Sequence, residues 1–166
     1  MTAYWLAQCN VARRVAPLDS PVLADFVAAL APINEFADRA PGFIWRLQTE
    51  DGDATAIRAF DDEMLIVNMS VWESLEALAG FVYRSAHRDV MRRRRQWFEK
   101  PADAHMVLWW IPAEIVPAVS DAQSRFETLR RDGPSHEAFT FRSPYAPPDS
   151  STRSAPIADD WFCSSR

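Results

Sequence analysis

The nine residues Met64–Trp72 (MLIVNMSVW) constrain the fold more than any other stretch. Their run of apolar and β-branched side chains reads as a strand, with Asn68 and Ser70 on the face opposite the bulkier apolar set. The pattern then changes period. Glu73–Arg84 repeats Leu75, Leu78 and Val82 at helical spacing, and a second helix from about Ala86 to Glu99 carries His87, Val90, Met91, Arg94, Trp97 and Phe98 on one stripe. A strand that feeds an amphipathic helix needs further strands beside it, so the remaining elements decide the architecture.

Tyr4–Ala12 (YWLAQCNVA) reads as a first strand, with Trp5, Ala7, Cys9 and Val11 opposed to Leu6, Gln8 and Asn10. Asp19 or Ser20 caps a helix that opens on Pro21 and carries Leu23, Phe26, Val27, Leu30, Ile33 and Ala37 before Pro41-Gly42 stops it. Pro32 predicts a kink or a break within it. Phe43–Thr49 is a second strand, with Phe43, Trp45 and Leu47 opposed to Ile44, Arg46 and Gln48, and Asp51-Gly52 marks a turn. Ala104–Pro112 is a fourth strand, and Asp121–Arg131 a last helix ended at Gly133-Pro134.

The order β-α-β-β-α-β with an appended helix predicts an α+β fold of the ferredoxin-like kind over residues 1–142. One sheet face takes the helices. The other also bears Val, Trp and Ile, and a second copy of the chain is the simplest cover, which predicts a homodimer. Residues 143–166 turn rich in Pro, Ser and Asp and read as a mobile tail, with Trp161 and Phe162 near its end.

Composition narrows the function. A chain of 166 residues with 48% hydrophobic side chains fits one domain, and a net charge of −5 argues against a nucleic-acid or anionic-membrane partner. Cys9 and Cys163 have neither metal-ligand nor disulfide spacing, which suits a reducing cytoplasmic setting. Neither a signal peptide nor a run of about 18 apolar residues is visible, so a soluble protein is expected. Phosphate-cradling glycine loops, GxSxG, HExxH and CxxC are absent, and His87, His105 and His136 stand in separate elements, so no metal site is expected.

Gln8, Asn10, Arg46, Gln48, Asn68 and Ser70 all fall opposite apolar sets. Buried polar side chains are costly unless paired, so such a cluster is either a satisfied network or a polar lining for a ligand. His87 on an apolar stripe reads as a satisfied core residue, as a general acid or base tuned by burial, or as an axial haem ligand. Helical geometry spreads Arg92–Arg95 around the axis, with Arg94 leaning to the apolar side. These arginines can take an anion or pair with nearby carboxylates.

The segments AQCNVAR at 7–13, APGFIWRLQTEDGDAT at 40–55, NMSVWESLEALAGFVYRSAH at 68–87 and MVLWWIPA at 106–113 resemble a family of unknown function. That family is placed in the dimeric α/β-barrel superfamily beside the antibiotic-biosynthesis monooxygenases. The resemblance implies a barrel of two sheets, a pocket between sheet and helices in each protomer, and a hydrophobic small-molecule substrate. Superfamily relatives include cofactor-independent oxygenases, haem-degrading enzymes, and cyclases or isomerases. For the cofactor-independent chemistry it implies His87, Asn10 and Arg46 as catalytic residues, with Gln8, Asn68, Trp72, Phe81, Met91 and Trp109 around the substrate and no cofactor. Haem ligated by His87 is the alternative, although Phe81 stands nearest to the tryptophan with which haem-degrading relatives distort their cofactor. A non-catalytic small-molecule-binding module is the third reading.

Overall fold

The computed structural model describes residues 3–48, 60–83, 85–101 and 104–149, and for residues 85–87 the backbone alone. Four strands form, β1 (Tyr4–Arg13), β2 (Phe43–Arg46), β3 (Leu65–Trp72) and β4 (Met106–Pro112). They pair antiparallel in the order β2-β3-β1-β4. β1 and β2 therefore run parallel with β3 between them, which is the ferredoxin-like split βαβ arrangement that the element order predicts. The helices are α1 (Ala24–Asp38), α2 (Leu75–Tyr83), α3 (Ser85–Arg92) and α4 (Val119–Asp132). None among the described residues is long and apolar enough to cross a membrane.

Both sheet faces are covered within one chain. Leu75, Leu78, Ala79 and Val82 of α2 pack with Leu6, Trp72, Met106 and Leu108. Leu23, Phe26 and Trp97 close a neighbouring cluster over Ile66. On the opposite face Ala122, Phe126 and Leu129 of α4 meet Ala7, Cys9, Val11, Val67, Met69, Val71, Val107, Trp109 and Ile111, and all of these are buried. The cover that the sequence assigned to a second copy is thus supplied by the appended helix.

Three local features depart from simple periodicity. Phe43 pairs with Trp72 whereas Trp45 pairs with Val71, so a bulge at Ile44 shifts the parity of β2. Phe43 and Arg46 consequently share one face and Trp45 takes the other, where strict alternation had set Phe43 with Trp45. α1 continues through Pro32 as a single helix. Pro32 and Ala28, whose carbonyl loses its amide donor, are both exposed, so water can satisfy that carbonyl. α4 begins two residues earlier than expected, because the Asp121 carboxylate accepts the Ala118 N–H at 2.7 Å and closes the first turn from within.

The expected tail begins in ordered structure. Trp110 Nε1 donates to the Tyr145 carbonyl at 2.7 Å, and the Tyr145 ring packs on Phe139 and His136. Trp161 and Phe162 lie outside the described residues.

Gly42 joins α1 to β2 at a φ of 79°, and a Cβ there would stand 2.6 Å from the Ala77 Cβ of α2. Both atoms sit on backbone, so neither can swing aside. Gly42→Ala should lose about 2–5 kcal/mol in urea unfolding, the sum of a left-handed penalty and overpacking.

Burial pushes the Cys9 thiol up to about 12 from 9.0. Below pH 9 native and unfolded chains both hold the proton. Above it the unfolded chain releases the proton first, so stability should fall by up to about 1.4 kcal/mol per pH unit until the native thiol also ionises. In a Cys163→Ser background, no thiol should react with a disulfide reagent at pH 8 until denaturant is added; rapid native labelling would contradict this burial.

Candidate functional site

Between the sheet and helices α1 to α3 lies a partly open cavity of about 190 Å³. Its floor follows from strand register. Gln8 stands opposite Ser70 and Asn10 opposite Asn68, flanked by the Leu6–Trp72 pair at one end and Ala12–Ile66 at the other. Polar side chains thus occupy adjacent rungs in the middle of an apolar face. Its walls are Phe26, Leu30 and Ile33 from α1, Phe81 and Val82 from α2, Val90 and Met91 from α3, and Trp97 and Phe98 beyond it.

The floor is hydrogen-bonded with one gap. Gln8 Nε2 donates to Asn68 Oδ1 at 2.7 Å and to Ser70 Oγ at 2.8 Å, and Trp72 Nε1 donates to the same Ser70 Oγ at 2.8 Å. The Gln8 residue is only 3% exposed, yet its Oε1 has no hydrogen-bond partner among the described residues. A buried acceptor left in this state costs about 1–3 kcal/mol, which a donor from a bound molecule would recover. Trp72 is fixed from three sides, by Ser70, by the edge-on Phe43 ring at 5.4 Å and by the stacked Phe81 ring at 5.1 Å.

Two guanidiniums reach the cavity in different states. Arg46 grips Asp38 with two nitrogens, at 2.7 and 3.3 Å. Arg94 is half-buried, and burial together with the Arg95 charge beside it lowers its pKa from the ordinary value. A guanidinium nevertheless remains protonated at neutral pH. Neither Asp nor Glu is among the described residues that line the cavity.

Of the residues expected around a substrate, Gln8, Asn10, Arg46, Asn68, Trp72, Phe81 and Met91 come together here. Trp109 does not: it pairs with Ala7 and points into the α4 layer. The side chain of His87 lies outside the description, and α3 carries its backbone. Gln48 is exposed and lies two residues beyond β2, which ends at Arg46 rather than running to Thr49. Ser70 of the polar cluster and Arg94 of the apolar stripe line it too, and the structure adds Asn34 and His105. His105 arrives because its carbonyl accepts the Val11 N–H at 2.9 Å, which ties the entry of β4 to β1. No group of three or more His, Cys, Asp or Glu that could hold a metal occurs among the described residues.

Residues 5–155 match a family described as Domain of unknown function (DUF3291). The chain belongs to this family. No curated protein matches it in sequence. Among solved structures, SnoaB, a cofactor-independent oxygenase from Streptomyces nogalater, is similar at 16% identity and a TM-score of 0.43, over 69% of this chain and 97% of that one. A Nitrosomonas europaea protein described as a candidate antibiotic biosynthesis monooxygenase gives 12% identity and a TM-score of 0.46, over 71% and 97% of the two chains. A corresponding Chloroflexus aurantiacus protein gives 14% and 0.41, over 69% and 98%. These superpositions are loose, and the ferredoxin-like assignment of this DUF3291 protein rests on its own strand order and register.

Proposed function

We propose that this DUF3291 protein is an enzyme acting on a hydrophobic, aromatic or polyketide-like small molecule, by cofactor-independent monooxygenation or by proton transfer of the cyclase or isomerase kind. The observation that carries the reading is the unpartnered Gln8 Oε1 on the floor of an aromatic-walled cavity. A core built only for stability would have satisfied that atom or replaced it. Here a displacement of the Gln8 amide toward the cavity lets its Oε1 accept a hydroxyl or N–H of the substrate, and Asn10 and Asn68 orient the substrate's remaining oxygens.

In the oxygenation, an activated CH₂ between aromatic rings loses a proton to an imidazole, and the carbanion reacts with O₂. The CH₂ and O₂ become a carbonyl and water. His87 is the base expected from the resemblance, and His105 is a second imidazole at the same cavity. Arg46 holds the β2 side of the site through Asp38. Walls of Phe, Trp and Met exclude water that would protonate the carbanion.

A cavity of about 190 Å³ is close to the roughly 150 Å³ that takes benzene and below the roughly 300 Å³ lower end for drug-sized ligands. No step is routed through haem. The protein acts as a homodimer, through a surface other than the sheet face that α4 covers.

Anthrone tests the reading. Purified protein should speed oxygen uptake with equimolar formation of anthraquinone, undiminished by a chelator and reduced at least tenfold in Gln8→Leu. Binding of anthrone with neither oxygen uptake nor catalysed tautomerisation would leave a non-catalytic binding module instead.

A further inference from the structure

Resting on the small-molecule reading above, we infer that the cavity selects apolar molecules bearing one carboxylate, and that Arg94 supplies the counter-charge. Three neighbouring arginines have carboxylate partners: Arg46 with Asp38, Arg92 with Asp89, and Arg93 with Asp25. Arg93 also lies over the Trp97 ring. Arg94 lines the cavity, and its guanidinium makes neither a hydrogen bond nor an ion pair with any described residue.

A half-buried cation without a partner is unfavourable in the free protein, and an anion brought by the ligand relieves it. The chain as a whole carries a net charge of −5, so a described cavity lining with two arginines and without acids is a local inversion rather than a reflection of composition. The guanidinium fork matches the two oxygens of a carboxylate, and the apolar walls fit a planar ring system attached to it. Oriented in this way, the ligand places its rings against Phe81, Trp97 and Phe98 and its polar ring substituents over Gln8 and Asn10. The same charge favours the anionic form of the ligand at every step of the chemistry.

Naphthoate and the matched neutral naphthamide separate the charge term from the apolar term, read by titration calorimetry on the full chain. Wild-type protein should bind naphthoate about ten- to a hundredfold more tightly than naphthamide, the range expected for a charge-assisted hydrogen bond. Arg94→Met should abolish that preference while leaving naphthamide binding unchanged. Arg92→Met removes the same charge from an exposed position and should preserve it. If Arg94→Met does not fold, Arg94→Gln carries the same comparison. A preference that survives loss of Arg94, or equal binding of both compounds by wild-type protein, overturns the inference while the cavity reading stands. If neither compound binds, both readings are overturned.

Discussion

Phe126→Ala should cost about 3–5 kcal/mol in denaturant unfolding, a large share of the roughly 5–15 kcal/mol that holds a domain of this size together. Phe126 is fully buried in the α4 layer, edge-on to Phe60 at 6.0 Å, with the Arg130 guanidinium 5.3 Å from its ring. Truncation leaves a cavity against Val67, Met69 and Val107 that backbone-anchored strands cannot close. The slope of unfolding should stay constant if the fold remains cooperative, and Val27→Ala, at an exposed site of α1, should stay within about 0.5 kcal/mol of wild type. If α4 instead detaches, the bared sheet face should drive association, seen as a rise in mass by light scattering. A loss below about 1 kcal/mol with unchanged mass would show that α4 is not part of the cooperative unit.

That face marks the limit of what could be read in the sequence. β1 and β3 were legible because alternation there separates polar from apolar residues, and Gln8, Asn10, Asn68 and Ser70 fell on one side. In β4 the run Met106–Ile111 is apolar at every position, so nothing in it distinguishes the cavity side from the α4 side. Trp109 and Trp110 are neighbours that point opposite ways, and only the pairing of Trp109 with Ala7 decides which. α4 reads as a mostly polar helix with a narrow stripe of Ala122, Phe126 and Leu129. Its length was legible, but its destination depends on tertiary packing.

The cavity was legible in a similarly partial way. The polar floor and Arg46 emerged from period-two spacing, whereas Phe43 joins Arg46 on that side only through the bulge at Ile44, which carries no glycine or other local signal. The sequence puts His105 inside a strand from Ala104, whereas β4 opens at Met106 and the backbone bond from Val11 holds His105 at the site. The stripe through Met91, Arg94 and Trp97 was visible, yet the lack of a partner for Arg94 is a property of three-dimensional neighbours.

Trp72 joins stability to the site, and its substitutions should separate the two. Trp72→Ala removes a fully buried indole, the stacked contact with Phe81 and the edge contact with Phe43, and should cost about 3–5 kcal/mol. Trp72→Phe keeps an aromatic ring and deletes only part of the volume and the Nε1 donor. Ser70 Oγ still accepts from Gln8 Nε2, so the acceptor is not left bare and the cost should be about 1–2 kcal/mol. Because Trp72 also forms the end of the cavity floor beside Gln8, Trp72→Phe should weaken binding of a two-ring aromatic by at least fivefold while the protein remains folded at 25 °C. If Trp72→Phe and Trp72→Ala destabilise equally, the Nε1 hydrogen bond outweighs packing and the floor network carries the stability. If Trp72→Phe binds the aromatic as wild type does, the ligand does not reach this end of the cavity.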